Sequence, residues 1–159
     1  MINSKGGCLC ASVKYEISAE PMALFCCHCA ECQTTLGSSF TLALRMPYDG
    51  VTVTEGSVQL YVRPEADGQK RHVARCTKCL TPLWSEAIEA PQFKTVYAGT
   101  LVDSPTLVPI AHIWTQDAQP WIKLPDWSLQ YPQNPPDMTA IKEAWHTRAK
   151  AGPICSKPS

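Results

Sequence analysis

The sequence predicts a mostly-β, metal-stabilised domain, and three observations carry that expectation. Short runs of alternating apolar and polar residues, closed by Pro or Gly, recur along the chain, the period-two mark of half-buried strands. Fourteen Pro against eight Gly, with 18% charged residues, favour turns and short strands over helical bundles. Eight of the nine Cys fall in three tight groups, Cys8/Cys10, Cys26 to Cys32 and Cys76/Cys79, which is the density of a metal-binding chain.

Taken in order, Gly6-Gly7 reads as a flexible opening turn. Residues 8–17 read as the first strand, with Val13, Tyr15 and Ile17 alternating against Lys14 and Glu16. Met22 to Phe25 is a short apolar run leading into the Cys cluster. A helical turn or two fits residues 30–37, with Gly37 as the stop. Residues 40–46 alternate again, and 51–54 with 58–62 flank Glu55-Gly56-Ser57 as a hairpin. Residues 63–70 form a polar loop, and 72–84 run into and out of the Cys76/Cys79 knuckle. Residues 95–98 and 108–115 give two more strands, the latter an inner one. After Trp121 the chain is rich in Pro and Trp, so 125–159 is expected as an irregular wrap ending in a helix. That helix covers 139–150, where Ile141, Ala144 and Trp145 share one stripe; beyond Gly152 the end is expected to fray, which leaves Cys155 incidental. Without repeats or a low-complexity boundary, 1–159 is read as one zinc-binding domain.

The cysteines divide into two candidate sites. Cys8, Cys10, Cys76 and Cys79 make a closed four-sulfur set, the pattern of structural zinc; buried thiols or a disulfide pair are the alternatives. Cys27, Cys29 and Cys32 leave three sulfurs and an open position, which suits a labile or catalytic zinc with a soft thiolate as its fourth ligand. Closure by His28 or Cys26, or a redox cluster, remains open. Adjacent side chains point oppositely in extended backbone, so Cys26 is read as a core thiol, and His28 as facing away from the metal.

Around this site His112, among apolar residues on an inner strand, is the candidate general acid/base, with a satisfied core histidine as the alternative. Glu31, inside the three-Cys motif, is a candidate proton carrier or simply a solvated carboxylate. Ser38 and Ser39 suit a substrate carboxylate or a turn cap. Trp84, Trp114 and Trp121 suit a pocket wall or the core. Arg45, Arg71 and Arg75 are candidates to meet a carboxylate, with no spacing that singles one out.

Net charge is zero with a pI of 6.9, so nucleic acid is not the expected partner. An opening without an apolar run, and no stretch near ~20 apolar residues, give the expectation of a cytoplasmic protein off the membrane with reduced thiols.

Gly7-Cys8-Leu9-Cys10, Cys27-His28-Cys29-Ala30-Glu31-Cys32 and Gly37-Ser38-Ser39-Phe40 together resemble the glutathione-dependent formaldehyde-activating enzyme family, which also contains centromere protein V type domains. The resemblance continues through Cys76-Thr77-Lys78-Cys79-Leu80, residues 99–103 and His112-Ile113-Trp114, and ends near Asp126. It implies tent-like sheets, a structural zinc on the first and last Cys pairs, and a labile zinc on Cys27, Cys29 and Cys32. It also implies carbon–sulfur lyase chemistry on a small thiol or an adduct such as S-hydroxymethylglutathione, with glutathione as co-substrate. Leu80 departs from the Gly usual in the family, and Gly alone tolerates positive φ freely. Two alternatives stay beside this reading: a non-enzymatic zinc scaffold binding a protein partner, and a same-fold enzyme doing lyase or elimination chemistry on a larger metabolite.

Overall fold

In a computed structural model, residues 4–65, 68–89 and 91–151 are described, and strands dominate them. They run β1 (Ser4–Gly7), β2 (Lys14–Ile17), β3 (Ala23–Cys27), α1 (Ala30–Leu36), β4 (Thr41–Pro47), β5 (Val51–Glu55) and β6 (Val58–Pro64). Then follow β7 (Lys70–Cys76), β8 (Pro82–Ala87), β9 (Phe93–Tyr97), β10 (Ala111–Ile113), β11 (Leu129–Tyr131) and α2 (Thr139–Ala151). The chain forms two compact units, residues 1–21 with 44–104, and residues 22–43 with 105–159. The mostly-β expectation holds, with clusters that can hold zinc and a C-terminal helix. Residues beyond 151, where fraying and Cys155 were placed, lie outside the described residues.

In the first unit β1, β2 and β5 make one sheet, and β9, β8, β7 and β6 lie side by side in another. The expected strand over 8–17 is instead a hairpin: β1 pairs antiparallel with β2 from Ser4↔Ile17 to Gly7↔Lys14, and residues 8–13 form the connection. Gly6 and Gly7 therefore sit in a strand, not a flexible turn. Gly6 is there for space, since a Cβ on it would overlap the fully buried Tyr15 ring.

A second correction concerns the expected hairpin around residues 55–57. β5 turns back to pair with β2, while β6 pairs with β7. Gly56, at φ 77° and with Ser12 O where a Cβ would stand, lets the chain leave one sheet for the other. Tyr15, Ile17, Leu44, Met46, Val73, Leu83 and Val96 are wholly or almost wholly buried in this unit. Trp84 lies edge-on to Tyr15 and donates its indole N–H to Glu86 at 3.0 Å. It is core, not pocket wall.

In the second unit β10 is flanked by β3 and β11, parallel to both. β3 and β10 are buried along their whole lengths, as parallel strands covered on both faces are. The inner strand expected over 108–115 is thus real but only three residues long. β11 interrupts the tail expected to be irregular. Helix α2 buries Ile141 and Trp145 and lies against β3; the Asp137 carboxylate accepts the Thr139 N–H at 2.7 Å to start it.

Candidate metal centres

The first cluster is built from two turns in the first unit. Cys8 and Cys10 sit in the β1–β2 connection, where Ala11 N–H donates to Cys8 O and Val13 N–H donates to Cys8 Sγ at 3.2 Å. Cys76 ends β7 and Cys79 lies in the knuckle before β8. The knuckle closes by Leu80 N–H to Cys76 O and Cys76 N–H to Thr81 O, each 3.1 Å. Lys78 and Cys79 N–H groups point at Cys76 Sγ at 3.4 and 3.5 Å. Leu9 N–H reaches Thr81 Oγ1 at 3.2 Å, clasping the two turns together.

Leu80 holds φ at 60° in this knuckle, a conformation costing a β-carbon-bearing residue about 1–2 kcal/mol. The departure from Gly is therefore accommodated by strain, not by a rebuilt turn. Leu80→Gly is expected to stabilise the protein by about 1 kcal/mol, read as a rise in denaturant midpoint at unchanged m-value. Its side chain is exposed, so little packing is lost.

The four sulfurs lie within 4.8 Å of one another, with Cys8–Cys10 at 3.5 Å and Cys10–Cys76 at 3.9 Å. Four sulfurs about 2.3 Å from one tetrahedral ion stand about 3.8 Å apart, so the set fits a metal. Their acidities support it. Burial pushes Cys8 up to about 11. Cys79 is pulled down to about 5 by the Thr81 hydroxyl and backbone N–H, with Cys10 N–H assisting, and the Ser12 hydroxyl and N–H lower Cys10. Thiolates are favoured at two of the four positions, which is what a cation needs.

The second cluster is contiguous. Cys27 ends β3, Cys29 caps α1, and Cys32 lies buried in its first turn. Cys29 has extended backbone, φ −60° and ψ 151°, and its sulfur accepts the Cys32 N–H at 3.4 Å. Helix geometry then brings Cys32 back over Cys29, while Cys27 reaches Cys29 at 3.5 Å. These three sulfurs also lie within 4.8 Å of one another, with no fourth His, Cys, Asp or Glu among the described residues. Without a cation the cluster resists ionisation. Hydrogen bonds that the Cys27 thiol gives to Cys29 and Cys32, burial and mutual repulsion raise Cys27 steeply. At Cys29 the bond from Cys27 favours the thiolate, but the Cys32 contact, burial and repulsion outweigh it and push the thiol to about 12. A divalent ion removes that conflict, so the donor set fits zinc as well. Cys26 is buried outside the cluster, its thiol pushed to about 12 by burial alone.

His28 turns from the sulfurs to His112. Its Nε2 lies 3.0 Å from His112 Nδ1, the rings stacked at 5.3 Å, with His28 wholly buried and His112 7% exposed. His112 stands beside Cys26 in the β10–β3 register. The outer nitrogens, His28 Nδ1 and His112 Nε2, have no hydrogen-bond partner among the described residues. Burial lowers both pKa values, His112 to about 4 with the neighbouring His28 adding to the effect. His112 is therefore neutral at pH 6, with one ring of the pair donating to the other, which imidazole 15N shifts would show. An imidazole held below its ordinary 6.5 loses its proton on folding. Its contribution to stability is full above about 6.5 and declines as pH falls toward about 4.

Gln33 is a residue that sequence reasoning missed. Its side-chain amide donates to the His28 carbonyl at 2.6 Å and to Asp117 O at 2.9 Å, and Gln119 donates to its Oε1 at 2.7 Å. It thereby ties the peptide between Cys27 and Cys29 to the 115–119 segment. Gln33→Leu is expected to weaken metal retention at the three-sulfur cluster about 10- to 100-fold with the melting curve little changed, as chelator competition would measure.

The remaining candidates separate. Glu31 is half-buried in the first turn of α1, and its carboxylate makes no hydrogen bond or ion pair among the described residues. Ser38 donates to Phe40 O at 2.9 Å, a turn role. Trp121 is 70% exposed, and Trp114 donates to Asn134 at 3.0 Å. No helix of the described residues is long and apolar enough to cross a membrane.

Comparison with curated proteins gives no match. Among solved structures, one of a Rhodobacter sphaeroides protein aligns at 15% identity and TM-score 0.47, over 80% of this chain and 98% of that one. The family model for the glutathione-dependent formaldehyde-activating enzyme matches residues 3–117. That match spans well over half of the chain and takes in both sulfur clusters, so the chain belongs to the glutathione-dependent formaldehyde-activating enzyme family.

Proposed function

We propose that this chain is a zinc-dependent carbon–sulfur lyase, acting on a small thiol or its one-carbon adduct, S-hydroxymethylglutathione being the adduct the family description suggests. One observation carries the reading: a cluster of three sulfurs, Cys27, Cys29 and Cys32, distinct from the four-sulfur cluster of Cys8, Cys10, Cys76 and Cys79. In this reading Cys8, Cys10, Cys76 and Cys79 hold a structural zinc, and Cys27, Cys29 and Cys32 a labile, catalytic one. Zinc at the three-sulfur site would supply Lewis acidity and keep a substrate sulfur deprotonated.

The chain's own part is to position and to move protons. In the cleavage direction the hydroxymethyl O–H proton leaves to a base, the carbon–sulfur electron pair goes to sulfur, and formaldehyde departs. Glu31, half-buried within the three-Cys motif, is the proposed proton carrier at the hydroxyl oxygen. His112, neutral at working pH, is the proposed acid/base, exchanging its proton along the hydrogen bond to His28. A neutral chain with clustered reduced thiols suits a small-molecule substrate in a reducing, cytoplasmic setting.

The test is exchange NMR of 13C-formaldehyde with glutathione at fixed pH. The zinc-loaded protein is expected to accelerate exchange between free aldehyde and adduct, and Glu31→Gln to slow it by about 10²-fold or more. Exchange no faster than in buffer, from a fully metallated protein, would refute the enzyme reading and favour the scaffold.

A further inference from the structure

Arginines line one cross-strand row in the first unit. Arg63 on β6 stands directly opposite Arg71 on β7, and Arg71 opposite Ala87 on β8. Glu86 opposes Lys94, which puts Phe93 of β9 beside Ala87 in the same row. Over that small residue the Arg71 guanidinium comes within 5.9 Å of the Phe93 ring, and Arg45 of β4 covers the same ring at 4.2 Å. Two cations thus share one aromatic platform, and a third faces Arg71.

Like charges directly opposite in a sheet repel. Arg63 is neutralised by Glu65, 2.6 Å away. Arg71 is not: its side chain has no carboxylate partner among the described residues, and its Nη1 is buried without an acceptor. Glu86 and His72 occupy the alternating positions and project to the opposite face of the sheet, where Glu86 accepts from Trp84. A guanidinium cannot shed its charge, so a buried N–H without an acceptor is costly until a ligand supplies one. Arg75, the other candidate of the sequence, donates to Leu80 O at 3.2 Å in the knuckle.

We propose that Arg71, with Arg45 and the Phe93 ring, binds the carboxylate of a small anionic ligand. The planar fork of a guanidinium matches a carboxylate in two parallel hydrogen bonds. The aromatic floor favours a carboxylate on an aliphatic stem over a strongly hydrated tetrahedral anion. This assignment is independent of the sulfur chemistry proposed above.

The test is a titration of 15N-labelled, zinc-loaded protein with glutarate and, separately, inorganic phosphate at constant ionic strength, following the arginine Nε–H signals. Glutarate is expected to saturate and to shift the signals lost in Arg71→Gln and Arg45→Gln. Arg71→Gln is expected to weaken it about tenfold or more. Arg71→Lys keeps the charge and loses the fork, so it too is expected to weaken binding, and it replaces Arg71→Gln if that variant fails to fold by circular dichroism. No saturation by glutarate, saturation by phosphate alone, or binding indifferent to both Arg71 variants would overturn the proposal.

Discussion

Cys29→Ser is expected to remove about one zinc per chain and to lower turnover about a thousandfold or more, with the fold retained. Cys29 is the hinge of its cluster: it receives Cys27 at 3.5 Å and accepts the Cys32 N–H at 3.4 Å. A serine can still accept that N–H and cap α1, since Ser is a favoured N-cap. It cannot offer a thiolate, so two sulfurs remain where at least three ligands are needed. Metal analysis by mass spectrometry, with circular dichroism and the exchange assay on one preparation, separates the outcomes. Full turnover in the variant would mean that this cluster does no chemistry.

Cys76→Ser acts on the other link, from metal to fold. Cys76 is fully buried, ends β7, takes two knuckle N–H groups on its sulfur and lies 3.9 Å from Cys10. Structural zinc in small domains binds with about 10–16 kcal/mol, as much as the whole stability of an ordinary domain, about 5–15 kcal/mol. The variant is therefore expected either to be unfolded as isolated or to melt about 10–20 °C lower. A melt within a few degrees of wild type would show that the β1–β2 turn and the knuckle hold together without an ion.

Both clusters were legible in the sequence because ligand spacing is a local property. A Cys pair one or two residues apart can meet one ion whatever surrounds it, and chain order supplied the partners. Strand pairing is not local. Alternation placed Tyr15 and Ile17 of β2 in the core, yet nothing in residues 51–62 says that β5 returns to β2 and β6 goes to β7. Gly6-Gly7 misled for a related reason: turn propensity and the space demanded by Tyr15, nine residues on, ask for the same residue. His28 was read as facing away from the metal because a strand alternates, and it does. Its partner, 84 residues later, carried no signal that one sequence can show. The Gln33 clamp is equally silent, since a glutamine in a short helix looks like any solvated position.

Zinc K-edge absorption on the fully loaded protein tests the central claim most directly, because it counts sulfur around each ion without reference to activity. One closed site and one with a vacancy give an average of about three and a half sulfurs per zinc at about 2.3 Å, rising to about four in Cys29→Ser as half the metal is lost. Four sulfurs per zinc in the wild type, or thiols found as cystine with no zinc bound, would contradict it.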